Sequence, residues 1–372
     1  MRIPNRTITS HGTAEGTHDG ARDDGKSGGL LERLTALVVG QAHAMEQIVP
    51  YVQMHQASLA PEGRPAGVFL LLGPTGTGKT RTVEALAEVL HGSDKRLLRV
   101  DCGEFQMEHE VAKLIGAPPG YLGHRETPPV LTQQKLAAAA SDDCDLSLVL
   151  FDEIEKAAPS MTRLLLGVLD KAALRLGDNT TVNFERTLIF LTSNVGAREL
   201  RKELRPDFGF EALAPAPSAG RLQRLDRIGA GAVRRKFSPE FVNRIDAVIT
   251  YQPLGAPELA QILELQLEAL DRHISKRLGV RAFTLELDAG AREFLLAKGT
   301  SSEYGARELK RTILRSLTQP LAALVAAGAI EPGAIVRASV EHAKPEHGTL
   351  EHGKLELRVG SQADENEDRA GC

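Results

Sequence analysis

The chain has 372 residues, 42% of them hydrophobic and 25% charged, with a formal net charge of −4. That length exceeds a single compact core and predicts two domains, and the nearly balanced charge argues against nucleic acid as the main ligand. Three cysteines without a CxxC pair, 11 scattered histidines and no long apolar run argue against a disulfide framework, a transition-metal site, a signal peptide and a membrane span. The expectation is a reduced, cytoplasmic protein with no membrane partner.

In chain order, residues 1–29 are polar and glycine-rich and predict a disordered start. Short apolar runs follow at 68–72, 97–102, 146–151, 187–192 and 247–251. Helical patterns separate most of them, including 79–91, which ends at Gly92, and 160–173. Buried strands alternating with helices predict an α/β fold with a mostly parallel sheet covered on both faces. The long mixed segment 199–236 contains PDFGFEALAPAPSAG and reads as a surface insertion.

After Pro253 the pattern changes. Residues 256–278 carry apolar positions at helical spacing. A strand at 283–287, helices near 288–298 and 305–327, and strands at 334–340 and 354–359 complete a smaller α+β domain. The division expected is a disordered segment 1–29, a large domain 30–252, a small domain 253–360 and an acidic disordered tail 361–372.

Directly after the 68–72 strand stands GPTGTGKT, residues 73–80. It fits G-x-x-x-x-G-K-[ST] between a strand and a helix, the arrangement of a phosphate-binding loop. Gly73, Gly76 and Gly78, with Pro74, Thr75 and Thr77 between them, let the backbone curl so that N–H groups converge on phosphate oxygens. Lys79 reaches the β- and γ-phosphates of ATP, and the Thr80 hydroxyl can ligate Mg²⁺. The 146–151 strand runs into Asp152-Glu153. Parallel neighbours deliver their C-terminal ends to one crevice, which suits Asp152 to Mg²⁺ and Glu153 to activating water. An acidic pair opening a helix is the alternative. Asn194 ends the next strand in SNVG and could hold that water, although asparagine before a glycine turn is also common for conformational reasons.

Taken together, GPTGTGKT, EFQMEHEVAKLIGAPPGYLGH, LVLFDEIEKA, LTSNVGA, FSPEFVNRID and YGARELKR resemble an AAA+ module of the Clp unfoldases. The likeness is greatest to the second ATPase module of the ClpA and ClpB types. It covers about 35–360, as a stand-alone module. The resemblance implies a large P-loop AAA+ domain followed by a small lid domain. It places Val39 and Gly40 beside the adenine, makes Asn194 the first sensor and Arg307 the second, and makes Arg244 an arginine finger reaching the next subunit's nucleotide. A finger given in trans implies a homo-oligomeric ring, usually a hexamer. Without the family, Arg244 reads as a surface arginine paired with Asp246.

The resemblance also gives Gly120-Tyr121-Leu122-Gly123 the place of the loop that grips unfolded or tagged polypeptide in the central pore. An aromatic ring offers apolar contact to any side chain, and flanking glycines let the loop travel. Two stretches depart from the family: HRETPP after this loop, and LDKAALRLGDNTTVNF where a second, glycine-rich pore loop is usual. Phe208-Gly209-Phe210 stands where protease-partnered members carry a docking tripeptide, and a local apolar clamp explains it equally well. The expected function is an ATP-driven, ring-forming protein unfoldase. A regulatory nucleotide switch and a nucleic-acid motor remain as alternatives.

Overall fold

The computed structural model describes residues 29–116, 128–204, 219–300, 305–341 and 354–360. Both expected tails, apart from Gly29, lie outside them, as do Gly120–Gly123 and Phe208–Phe210.

Two helices that the strand pattern did not predict come first, α1 (Leu30–Leu37) and α2 (Ala42–Gln56). Then follow β1 (Gly67–Leu72), α3 (Lys79–His91), β2 (Leu98–Asp101), α4 (Val111–Ile115), α5 (Gln133–Ala138), β3 (Ser147–Asp152) and α6 (Pro159–Lys171). A hairpin of β4 (Ala173–Arg175) and β5 (Thr181–Asn183) leads to β6 (Thr187–Ser193), α7 (Ala197–Leu204), α8 (Ala219–Lys236), α9 (Pro239–Val242) and β7 (Ala247–Thr250). Five strands form one parallel sheet in the order β2-β3-β6-β1-β7.

Every residue of β1 is buried, because helices cover both faces of the sheet. Alternate side chains enter opposite cores. Val68, Leu70 and Leu72 join one cluster, while Phe69 and Leu71 join the other. In the second, Phe69 stacks on Phe190 with ring centroids 5.2 Å apart.

The remaining elements are α10 (Ala256–Leu278), β8 (Thr284–Leu287), α11 (Ala289–Gly299), α12 (Ala306–Ile313), α13 (Gln319–Ala326), β9 (Ile335–Glu341) and β10 (Lys354–Gly360). They make the smaller domain. β8 and β9 pair in parallel, and β9 and β10 antiparallel. Leu259, Leu263 and Leu267 of α10 recur at i+4, so one helical stripe packs with Leu295, Leu309 and Leu355.

Two expectations need correction. The 305–327 helix is interrupted by a π-helical turn at Leu314–Thr318. Pro320, in the first turn of α13, has no N–H for the ordinary i−4 bond, so the ladder is re-registered there. The described parts of 199–236 are not a surface insertion. Leu225, Gly229, Ala232 and Val233 of α8 are buried, at helical spacing. A β-carbon on Gly229 would lie 2.9 Å from the Thr250 hydroxyl and 3.3 Å from Leu72, so α8 lies directly on the sheet. Interspersed arginines masked this stripe in the sequence.

Candidate nucleotide site

The C-terminal ends of β1, β6 and β3 lie side by side in the sheet, and each continues into a predicted site segment. After β1 the chain turns through Gly73, Gly76 and Gly78, with φ of +146°, +81° and +101°. Only glycine adopts such a series without strain. A β-carbon on Gly73 would also come within 2.9 Å of the Tyr251 carbonyl oxygen. The Gly73 N–H donates to Ser193 O at the end of β6 (3.3 Å), and the Thr77 hydroxyl closes the loop onto Pro74 O (2.9 Å).

Lys79 opens α3, and its ammonium is buried inside this turn. Nζ donates to Gly73 O (2.6 Å), Pro74 O (2.9 Å) and Asn194 Oδ1 (3.0 Å). Burial lowers its pKa to about 8, against the opposing pull of Glu155, Asp152 and Glu153, while Arg307 adds to the lowering. Thr80 follows, half-buried, in the first turn of α3.

Asp152 and Glu153 are organised by Thr192, which the sequence reading missed. Its hydroxyl donates to Asp152 Oδ1 (2.5 Å) and accepts the Glu153 N–H (3.0 Å). Thr192 is almost fully buried; a polar residue directly after the apolar run Leu188–Leu191 was the available signal. Arg99 of β2 pairs with the other Asp152 oxygen. Glu153 has φ of +56°, a rare conformation for a non-glycine residue, of the kind that concentrates at functional sites. Its carboxylate is held by Lys156 at 2.5 Å.

The smaller domain also touches the loop. Gly305, with φ of +49°, packs so closely that a β-carbon there would meet Gly76 O at 3.0 Å. The Ala306 N–H donates to the same oxygen (3.3 Å). Arg307 is the next residue, exposed in the first turn of α12.

Val39 and Gly40 lie in the turn between α1 and α2. Val38 is 3.9 Å from the place of a Gly78 β-carbon, and Gly40 (φ +77°) abuts Glu258 and Leu254. Gln41, which the sequence reading also missed, is fully buried. Its amide donates to Thr77 O (3.2 Å) and Gln252 O (2.8 Å), and its carbonyl accepts the Gln252 N–H (3.2 Å). It thereby joins the glycine loop to the chain entering the smaller domain.

Arg244 is not brought to this site. It stands just before β7, where Asp246 pairs with Val68 at the start of β1, so the length of β1, ~20 Å, separates it from the loop. Its guanidinium donates to Glu240 O (2.6 Å) and faces Asp170 at 3.6 Å. The sequence-level pairing with Asp246 does not occur, because Arg64 takes that carboxylate (2.7 Å). A groove of about 580 Å³ lined by Arg96, Asp142, Asp145 and Arg186 is also remote, at the N-terminal ends of β3 and β6.

The residues fit a nucleoside triphosphate: a curled glycine loop, a buried ammonium and the start of a 13-residue helix. They fit Mg²⁺ only together with phosphate. Among the described residues no group of three or more His, Cys, Asp and Glu side chains could hold a metal ion. Both Asp152 oxygens are already engaged, so Asp152 suits a metal-bound water and Thr80 a direct bond.

Comparison with known proteins agrees with this geometry. The profile of the AAA domain (Cdc48 subfamily) matches residues 64–248. That of the C-terminal, D2-small domain of ClpB protein matches 254–338. The chain is similar to the chaperone protein ClpB of Meiothermus ruber, 37% identical over 301 residues, covering 81% of this chain and 33% of that protein. It is likewise similar to ClpB of Pseudomonas putida, 40% identical over 303 residues, covering 82% and 32%. Thus the chain spans about a third of the length of the curated relatives it matches. A closed-state cryo-electron-microscopy structure of Hsp104 with ATPγS and FITC casein superposes with a TM-score of 0.70 at 26% identity, covering 88% of this chain and 51% of that one. The extended Saccharomyces cerevisiae Hsp104–casein complex gives 0.69 at 27%, covering 84% and 50%.

Proposed function

We propose that this chain, which belongs to the Clp family of AAA+ ATPases, hydrolyses ATP to remodel polypeptides as a ring-forming unfoldase. The observation carrying the reading is the convergence of three strand ends on one buried ammonium. Lys79 bonds to its own loop and to Asn194, with Asp152 and Glu153 on the neighbouring strand.

In this reading residues 30–252 are the ATPase domain and 253–360 the lid. Bound Mg²⁺ supplies charge neutralisation at the β- and γ-phosphates. The 73–78 backbone and Lys79 bind the phosphates, Thr80 and Asp152 hold the metal, and Val39 and Gly40 flank the adenine. Glu153, whose Oε2 is paired with Lys156, takes a proton from water. Asn194 contacts the γ-phosphate, and Arg307 carries the small domain toward it. Arg244, at the far end of the sheet from its own loop, suits a neighbour's site, and this favours a homo-oligomer, with a hexamer expected from the family resemblance.

Likeness to ClpB chaperones and to Hsp104 bound to casein supports polypeptide as the substrate. Tyr121, within Gly120–Gly123, is the proposed gripping residue, and Phe208-Gly209-Phe210 a proposed docking point for a peptidase. Among the described residues no helix is long and apolar enough to cross a membrane.

The test is ATP-dependent unfolding of a tagged fluorescent protein. The wild-type chain should extinguish its fluorescence. Tyr121→Ala should abolish that loss while ATP turnover continues. Persistent fluorescence with the wild-type chain assembled and hydrolysing would overturn threading in favour of a nucleotide switch.

A further inference from the structure

The DEIEK segment contains a third acid that the site described above does not use. Glu155 lies in the short 3₁₀ turn Ile154–Lys156 that follows β3. Its Oε1 accepts the main-chain N–H of Asn194 at 3.1 Å, reaching from the end of β3 to the end of β6. Asn194 in turn accepts the Lys79 ammonium on its side-chain oxygen. A continuous path therefore runs from the Glu155 carboxylate through Asn194 to Lys79.

The second oxygen, Oε2, is buried and has no hydrogen-bond partner among the described residues. An unpaired buried carboxylate oxygen is unfavourable. Next to desolvation, the Glu155 carboxylate is the strongest influence on the Lys79 ammonium, ahead of Asp152 and Glu153. The acid is thus placed against both the loop cation and the residue contacting it.

We propose that Glu155 is a positioning residue for nucleotide discrimination, its carboxylate fixing Asn194 through the main-chain N–H so that the amide reads the γ-phosphate. This rests on the reading of Asn194 as the γ-phosphate contact. Asn194 begins a glycine turn, and its side-chain direction depends on how its own backbone is held. The Glu155 bond anchors that N–H from a neighbouring strand, so the amide keeps its aim when Lys79 moves to phosphate. The carboxylate itself touches no nucleotide.

The experiment measures affinity for fluorescent ATPγS and for fluorescent ADP, with Mg²⁺, in the full chain, together with kcat, KM and the melting temperature. Glu155→Ala should reduce the preference for ATPγS over ADP by about tenfold, the size expected for losing one charge-assisted bond, and should lower kcat. ADP affinity should hold, and the melting temperature should not fall. Glu155→Gln keeps an acceptor oxygen and should retain the preference. Asn194→Ala is the reference: if it loses the preference and Glu155→Ala does not, the positioning role is wrong while the sensor reading survives. If Asn194→Ala keeps the preference, the sensor reading itself fails. Equal losses of ADP and ATPγS affinity in Glu155→Ala, a large fall in melting temperature, or glutamine behaving like alanine would each overturn the proposal.

Discussion

Lys79 concentrates the energetic conflict of the site into one side chain. Burial draws its pKa from 10.5 to about 8, so the unfolded chain holds this proton more tightly than the folded one. The folded state is therefore penalised below pH 8 and recovers as pH rises from about 8 to about 10.5. At pH 7 the penalty is about 3 kcal/mol. Lys79→Met retains the stem without the charge. It should melt higher than wild type at pH 7 without nucleotide, lose that advantage toward pH 10.5, and no longer bind ATP. Melting curves across pH that stay parallel for the two proteins would refute this. The loop around Lys79 was legible in the sequence because its chemistry is local, eight consecutive residues between a strand and a helix. Thr192 and Gln41 were not. Their partners come from β3 and from Gln252, 211 positions away from Gln41, and only sheet register and domain packing bring them together.

The elements follow the same division between local pattern and distant contact. The inner strands β1, β3 and β6 were readable as apolar runs because both sheet faces are covered there, so no polar alternation dilutes them; the edge strand β2 alternates, with Arg99 and Asp101 exposed. α8 was not, since its narrow buried stripe is interleaved with arginines and acquires meaning only against β7. α12 shows what such packing can accomplish. Its N-terminus sits on the glycine loop through Gly305, where φ is +49° and a β-carbon would stand 3.0 Å from Gly76 O. Gly305→Ala should strain the turn by about 1–3 kcal/mol and push α12 off the loop. KM for ATP should rise severalfold with an unchanged far-UV circular dichroism spectrum. An unaltered KM would show that the contact is incidental to nucleotide binding.

At the scale of the molecule, the loop and Arg244 occupy opposite ends of the sheet. One chain cannot bring both to the same nucleotide, so on the proposed role of Arg244 hydrolysis should be shared between copies. Arg244→Ala and Glu153→Gln should each be inactive alone, and mixing them should restore part of the ATPase, because some interfaces then join an intact acid to an intact arginine. Mixtures no more active than their components would refute the shared site. The joint between the smaller domain and the loop is made of backbone alone. Gly76 O and Ala306 N both belong to the main chain. Substitutions on the lid surface away from Gly305 leave both atoms in place. The lid's surface can therefore change while the main-chain joint to the nucleotide loop stays as it is.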